Sequence, residues 1–223
     1  MKTVPQARAV KAGQLAPFFW CGLPTDHLDD SDVAELDEVL DDDERARIGR
    51  LRPPQARRDA IIAHGLRRFV LGEVTGQPPH SFRFHPACAG GKPKPRGLHG
   101  IDVSLTHCNG YAAAAAVASG GRIGIDAEPF ARGIEPELIE AIAAPTERTA
   151  IGYPAALWTL KEALAKAEGS GLALDLAHIE TDPRALRLVS APSSFGNPVT
   201  WRLERHWDAG FVVVIAFGPP AGK

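Results

Sequence analysis

Two acids in RIGIDAEPF, Asp126 and Glu128, stand two positions apart in a stretch that alternates apolar and polar residues. In a strand, successive side chains point to opposite faces, so Ile123, Ile125 and Ala127 share one face and Asp126 and Glu128 the other. Carboxylates set side by side repel unless a proton, a basic group or a cation lies between them. Mg²⁺, held by one or two carboxylates with its remaining positions left to substrate phosphates, suits such a pair. A solvent-facing strand with two acids reads the same from these residues alone.

A third acid comes from LWTLKEALAKAEGSGL, residues 157–172. Leu157, Leu160, Leu164 and Ala167 recur at helical spacing and form an apolar arc, with Glu162 and Lys166 away from it at i,i+4. As a plain exposed pair those two would add roughly 0.2–0.5 kcal/mol to the helix. A second lysine, Lys161, and the turn Gly169-Ser170-Gly171, which permits close backbone approach, set the segment apart. Lys92 in GGKPKP sits in a Gly/Pro loop stiff enough to present an ammonium to a phosphate at reduced entropic cost. His107 in SLTHC has the chemistry to donate to a phosphate, or simply packs beside an apolar strand. Cys108 next to it projects to the opposite face, so no Cys-His nucleophile is expected. His80, His85 and Cys88 lack zinc-ligand spacing, and no G-x-S-x-G, Walker A or G-x-G-x-x-G stretch is present.

These side chains need elements to position them. Ser31 and Asp41 are placed to cap two short helices in an acidic-to-basic stretch. A long helix follows Pro53 and Pro54, with Gly72 and Gly76 as its stops. SFRFHPACAGGKPKPRGLHG reads as a short strand and a Gly/Pro loop. Asn109-Gly110 makes DVSLTHCNGYAAAAAVAS a hairpin in spite of the helix propensity of its alanines. The chain then repeats the arrangement, with VTWRLERHW and FVVVIAF joined at Asp208-Ala209-Gly210. The expected fold is therefore α+β, in two similar halves that enclose a site between them, divided near Gly120 into residues 1–119 and 120–223.

With 223 residues, 44% of them hydrophobic, the chain can bury a sizeable core. A net charge of -2 argues against nucleic-acid binding. Three cysteines without a CxxC pair suit a reducing compartment, so a cytoplasmic location is expected. The N-terminal apolar patch is broken by Pro17 and Pro24 and lacks an A-x-A site, so no export is expected. No stretch reads as a membrane span.

Taken in order, GGKP, VSLTHC, GIDAE and LWTLKEALAKAEGSGL resemble the motif set of the 4'-phosphopantetheinyl transferases of the surfactin-synthetase-activating (Sfp) type. The resemblance runs from about Arg58 to Leu172, and G-I-D-x-E together with W-x-x-K-E-A-x-x-K is its specific part.

It implies two pseudo-two-fold-related halves with coenzyme A in the cleft between them. It implies Asp126, Glu128 and Glu162 as Mg²⁺ ligands, Glu162 also as the base, and Lys161 and Lys166 as cations meeting phosphate charge, with Lys166 counted among the catalytic groups. Lys92, Thr106 and His107 match coenzyme A contacts, Thr106 standing where the family has serine. Arg58 matches a position near the 3'-phosphate, for which Arg57, Arg67 and Arg68 compete, and Arg45 is the one candidate further upstream. The implied reaction is attack by a serine of an apo acyl- or peptidyl-carrier protein on the β-phosphate of coenzyme A, releasing 3',5'-adenosine bisphosphate. Such enzymes tend to be monomers. The same acids would also serve a Mg²⁺-dependent hydrolase of a small diphosphate, and a silent carrier-protein or coenzyme A binding module is the non-catalytic alternative.

Overall fold

The computed structural model describes residues 8–10, 18–85, 92–148, 153–169 and 174–220. In the first half, β1 (Arg8–Val10), β2 (Phe18–Pro24), β3 (Asp102–Cys108) and β4 (Tyr111–Val117) form an antiparallel sheet of order β1-β2-β4-β3. The alanine run is the central strand β4, every residue of it buried. Its thin side chains let α3 (Pro54–Thr75) press on one face beside Ala112, Ala114 and Ala116, while Ala113 and Ala115 face the second sheet. Packing on both sides outweighs the helix preference of alanine. Gly110, at φ 92°, turns the hairpin.

The long helix starts on Pro54 and stops at Gly76 in the left-handed conformation, with Gly72 inside it rather than at its end. The two short helices are α1 (Asp30–Glu38) and α2 (Asp42–Ile48). Asp41 caps α2 as its sequence suggests. Asp29 caps α1, because Asp32 three residues on returns the hydrogen bond; Ser31 lies inside the helix. Of the expected short strand after Ser81, one bridge between Phe84 and Pro95 is present; Cys88 and Gly91 lie outside the described residues.

The second half contains β5 (Arg122–Pro129), α4 (Pro136–Ile142), α5 (Pro154–Glu168), a small hairpin of β6 (Glu180–Asp182) and β7 (Arg187–Ser190), and then β8 (Arg202–Asp208) and β9 (Phe211–Gly218). Its main sheet has the order β5-β9-β8, so strand, long helix and hairpin follow one another as in β2, α3, β3 and β4. α5 lies directly on β5: a Cβ on Gly124 would stand 2.0 Å from the carbonyl oxygen of Ala163, so only glycine fits ahead of Ile125-Asp126.

Each long helix covers the outer face of its own sheet, and the inner faces meet in a shared core of Phe18, Trp20, Tyr111, Ile125, Ile215 and Phe217. Where β3 and β5 run alongside each other, side chains replace a backbone ladder. Asp102 accepts from the Ile123 amide at 2.8 Å and Ser104 from the Ile125 amide at 3.2 Å, while Lys92 and Lys166 donate to the carbonyls of those same two residues. The free edge of β5 is thus satisfied without joining the two sheets. No helix among the described residues is long and apolar enough to cross a membrane.

Candidate active site

The inner face of β5 carries Ile123, Ile125 and Ala127 into the shared core, and the other face turns Asp126 and Glu128 toward α5. Asp126 is 6% exposed. Its Oδ1 accepts from the Thr106 hydroxyl at 2.9 Å and from Lys166 Nζ at 2.6 Å, whereas its Oδ2 is buried with no hydrogen-bond partner. Glu162, one turn before Lys166 on α5, makes no hydrogen bond or ion pair among the described residues. Burial raises its pKa, and the neighbouring Asp126 and Glu128 raise it further against the opposing Lys166. Glu128 is held by Arg132, whose guanidinium also lies over the Trp158 ring at 5.8 Å. Beside them Phe130, Tyr153 and Trp207 form an exposed aromatic group, with Phe130 4.9 Å from each of the other two.

Two helical positions that look alike in sequence separate in space. Lys166 reaches the acids, but Lys161 is fully buried and bonded to Glu147 at 2.6 Å and to the carbonyls of Leu176 and Ile179. The expectation that Lys161 meets phosphate charge is corrected on this ground, since all three of its donors are used inside the second half. Burial lowers its pKa and Glu147 opposes that shift. Glu147 in turn accepts from Ala144 and Thr181, fixing the segment before α5 to β6. Of the turn that follows α5, Gly169 has φ 98°, and Ser170 and Gly171 lie outside the described residues.

Lys92 occupies the other end of the β3–β5 seam, 2.5 Å from Asp102 and away from the Thr106–Asp126 contact. A cavity of about 460 Å³ opens there, lined among others by Lys92, Lys94, His99, Arg122 and Gly169. Burial lowers the Lys92 pKa and Asp102 works against it. His107 lies on the α3 side of β3. Desolvation lowers its pKa, Asp59 opposing and Lys166 adding to the effect. Asp59 is itself buried and accepts from Thr25, Gln55 and the Gly110 amide, tying the hairpin tip to α3.

Arg58 binds Asp30 at 2.8 Å and the Leu28 carbonyl. Its competitors Arg67 and Arg68 are consumed by Glu44, and Arg57 is exposed. Arg45 binds Asp37, Asp42 and the carbonyls ending α1. Sequence reasoning missed Arg132, Asp59 and Glu147. Glu128 and Arg132 meet through the turn after Pro129, where the Arg132 amide donates to the Pro129 carbonyl, and the other two act through partners distant in sequence.

The oxygen donors of Asp126, Glu128 and Glu162 suit a hard divalent cation, and the partnerless Asp126 Oδ2 and the raised Glu162 carboxyl mark a group short of positive charge. As they stand, the acidic, histidine and cysteine side chains among the described residues form no closed metal cage. Glu128 would have to exchange Arg132 for the ion.

A family model described as the 4'-phosphopantetheinyl transferase superfamily matches residues 122–216, from β5 into β9. The 4'-phosphopantetheinyl transferase Svp of Streptomyces mobaraensis is 30% identical over 208 aligned residues, which cover 82% of this chain and 81% of that protein.

Proposed function

The chain belongs to the 4'-phosphopantetheinyl transferases, and from that premise we propose that it is of the surfactin-synthetase-activating type and moves the 4'-phosphopantetheine arm of coenzyme A to a serine of an apo acyl- or peptidyl-carrier protein. On this reading it requires Mg²⁺, releases 3',5'-adenosine bisphosphate and works as a cytoplasmic monomer. Its halves, residues 1–119 and 120–223, are pseudo-two-fold related, and the repeated strand order supports that relation.

The observation that carries the reading is the acid face of β5 and α5, where Asp126 keeps a buried oxygen without a hydrogen bond and Glu162 makes no hydrogen bond or ion pair among the described residues. Asp126, Glu128 and Glu162 would hold Mg²⁺, which when bound supplies positive charge against the diphosphate. Lys166 adds an ammonium on the same face, and Lys92, His107 and Arg58 contribute basic groups to the remaining phosphates. Glu162 accepts the proton of the carrier serine. The serine oxygen bonds to the β-phosphorus, the bond from that phosphorus to the bridging oxygen breaks, and 3',5'-adenosine bisphosphate leaves with the electron pair.

Intact-protein mass spectrometry of several apo carriers incubated with coenzyme A, Mg²⁺ and this protein tests the proposal. One phosphopantetheine added per carrier, with 3',5'-adenosine bisphosphate released, is the expected result. Splitting of the diphosphate with the carriers unmodified would make the protein a hydrolase instead.

A further inference from the structure

We propose that Thr106 is a positioning residue that aims Asp126 at the divalent cation, and not a donor to coenzyme A. The inference rests on the transferase reading above. Thr106 is 5% exposed and its hydroxyl donates to Asp126 Oδ1 at 2.9 Å. A threonine hydroxyl has a single proton, and a phosphate oxygen can only accept, so a hydroxyl spent on Asp126 has nothing to donate to a nucleotide phosphate.

A carboxylate turns about a broad terminal torsion, so a single ion pair with Lys166 would leave the direction of the second Asp126 oxygen open. Lys166 does not settle the choice, because its ammonium sits on a long flexible stem with three donors. Thr106 does settle it. Its β-branched side chain is stiff at χ1, and its strand is registered against β5 by the Asp102–Ile123 and Ser104–Ile125 bonds. With Oδ1 pinned by Thr106 and Lys166, the buried Oδ2 is left for the ion. Hydrogen bonds to a ligating carboxylate orient it, and losing one typically lowers metal affinity ~10–100-fold.

The test uses the full chain saturated with coenzyme A, without carrier, and Mn²⁺ as a paramagnetic probe counted by electron spin resonance. Thr106→Val should weaken Mn²⁺ binding ~10–100-fold, Thr106→Ser should restore it, and coenzyme A affinity in EDTA should be the same in all three proteins. If Thr106→Val does not fold, Thr106→Ala, which only removes atoms, should show the same loss. Wild-type Mn²⁺ affinity in the hydroxyl-free variant, with weaker coenzyme A binding in EDTA, would overturn the inference and leave the transferase reading intact. Failure of the wild-type complex to retain Mn²⁺ would remove the metal site and this inference together, a result read before any variant is made.

Discussion

Glu44 and Asp126 are both buried carboxylates set against basic side chains, and they differ in what is left over. Glu44 is 1% exposed and both its oxygens are taken, by His64, Arg67, Arg68 and the Asp41 amide. Arg68 in turn binds Asp41 and the carbonyls of Pro79 and Phe82. Asp126 has one served oxygen and one buried oxygen with none. The same contrast recurs on α5, where Lys161 is enclosed and saturated while Lys166 is 29% exposed along its side chain at the acid face. Burial of charge therefore does not distinguish scaffold from site in this molecule. Among the described residues, a buried carboxylate oxygen with neither a hydrogen bond nor an ion pair does.

The cluster around Glu44, whose oxygens are both filled, should be the more sensitive to loss of one member. Glu44→Gln leaves Arg67 and Arg68 buried without their carboxylate and should lower unfolding stability by ~3–5 kcal/mol in urea titrations, with the transfer rate per folded molecule retained. A loss below about 1 kcal/mol would place Glu44 among ordinary surface pairs. On α5, Lys161→Met should cost about 3 kcal/mol by orphaning Glu147. Lys166→Met should cost less than about 1 kcal/mol, its ammonium being partly screened by solvent, and should instead raise the KM for coenzyme A. Equal stability losses would erase the contrast between the two lysines.

Acid should act on the Glu44 cluster in a direction fixed by linkage. Burial alone would raise the Glu44 carboxyl, but the His64 hydrogen bond and the two arginines outweigh it and hold its pKa well below the carboxylate range. Burial lowers the His64 pKa. Both groups take up protons more readily in the unfolded chain, so their stabilisation is present above the ordinary histidine and carboxylate ranges and is lost as pH falls. The melting temperature should decline below about pH 6.5 and again below about pH 4.5. Glu44→Gln should flatten the second decline; an unchanged profile would sever acid sensitivity from this cluster. The smallest effect is at Cys108, whose thiol burial and the nearby Glu128, Asp126 and Asp59 push up to about 12. Its alkylation by iodoacetamide at neutral pH should be slower than that of a free thiol; rapid modification would contradict the acidic field ascribed to this face.

Periodicity made the β5 face, the α5 arc and the second terminal hairpin legible in the sequence, because each depends on neighbours two to four residues away. The alanine-rich β4 was legible only through its Asn109-Gly110 turn and the matching hairpin of the second half, since its strand state depends on being squeezed between α3 and the second sheet. The destination of Lys161 was hidden for a related reason: its partner Glu147 is brought in by a loop. Asp59 and Arg68 were equally unreadable, as both bind across 20 or more residues of chain. Lys166 and Asp126 are 40 residues apart as well. Their meeting follows from Gly124, which lets α5 lie on β5.

We propose that the unfilled acid face, and not buried charge in general, performs the transfer. It is tested most directly by the rate at which Glu162→Gln modifies a carrier that the wild-type protein accepts, measured beside its melting temperature. A fall in kcat on the order of 10²-fold or more, with the melting temperature unchanged, is the predicted result. Wild-type turnover by Glu162→Gln would contradict it.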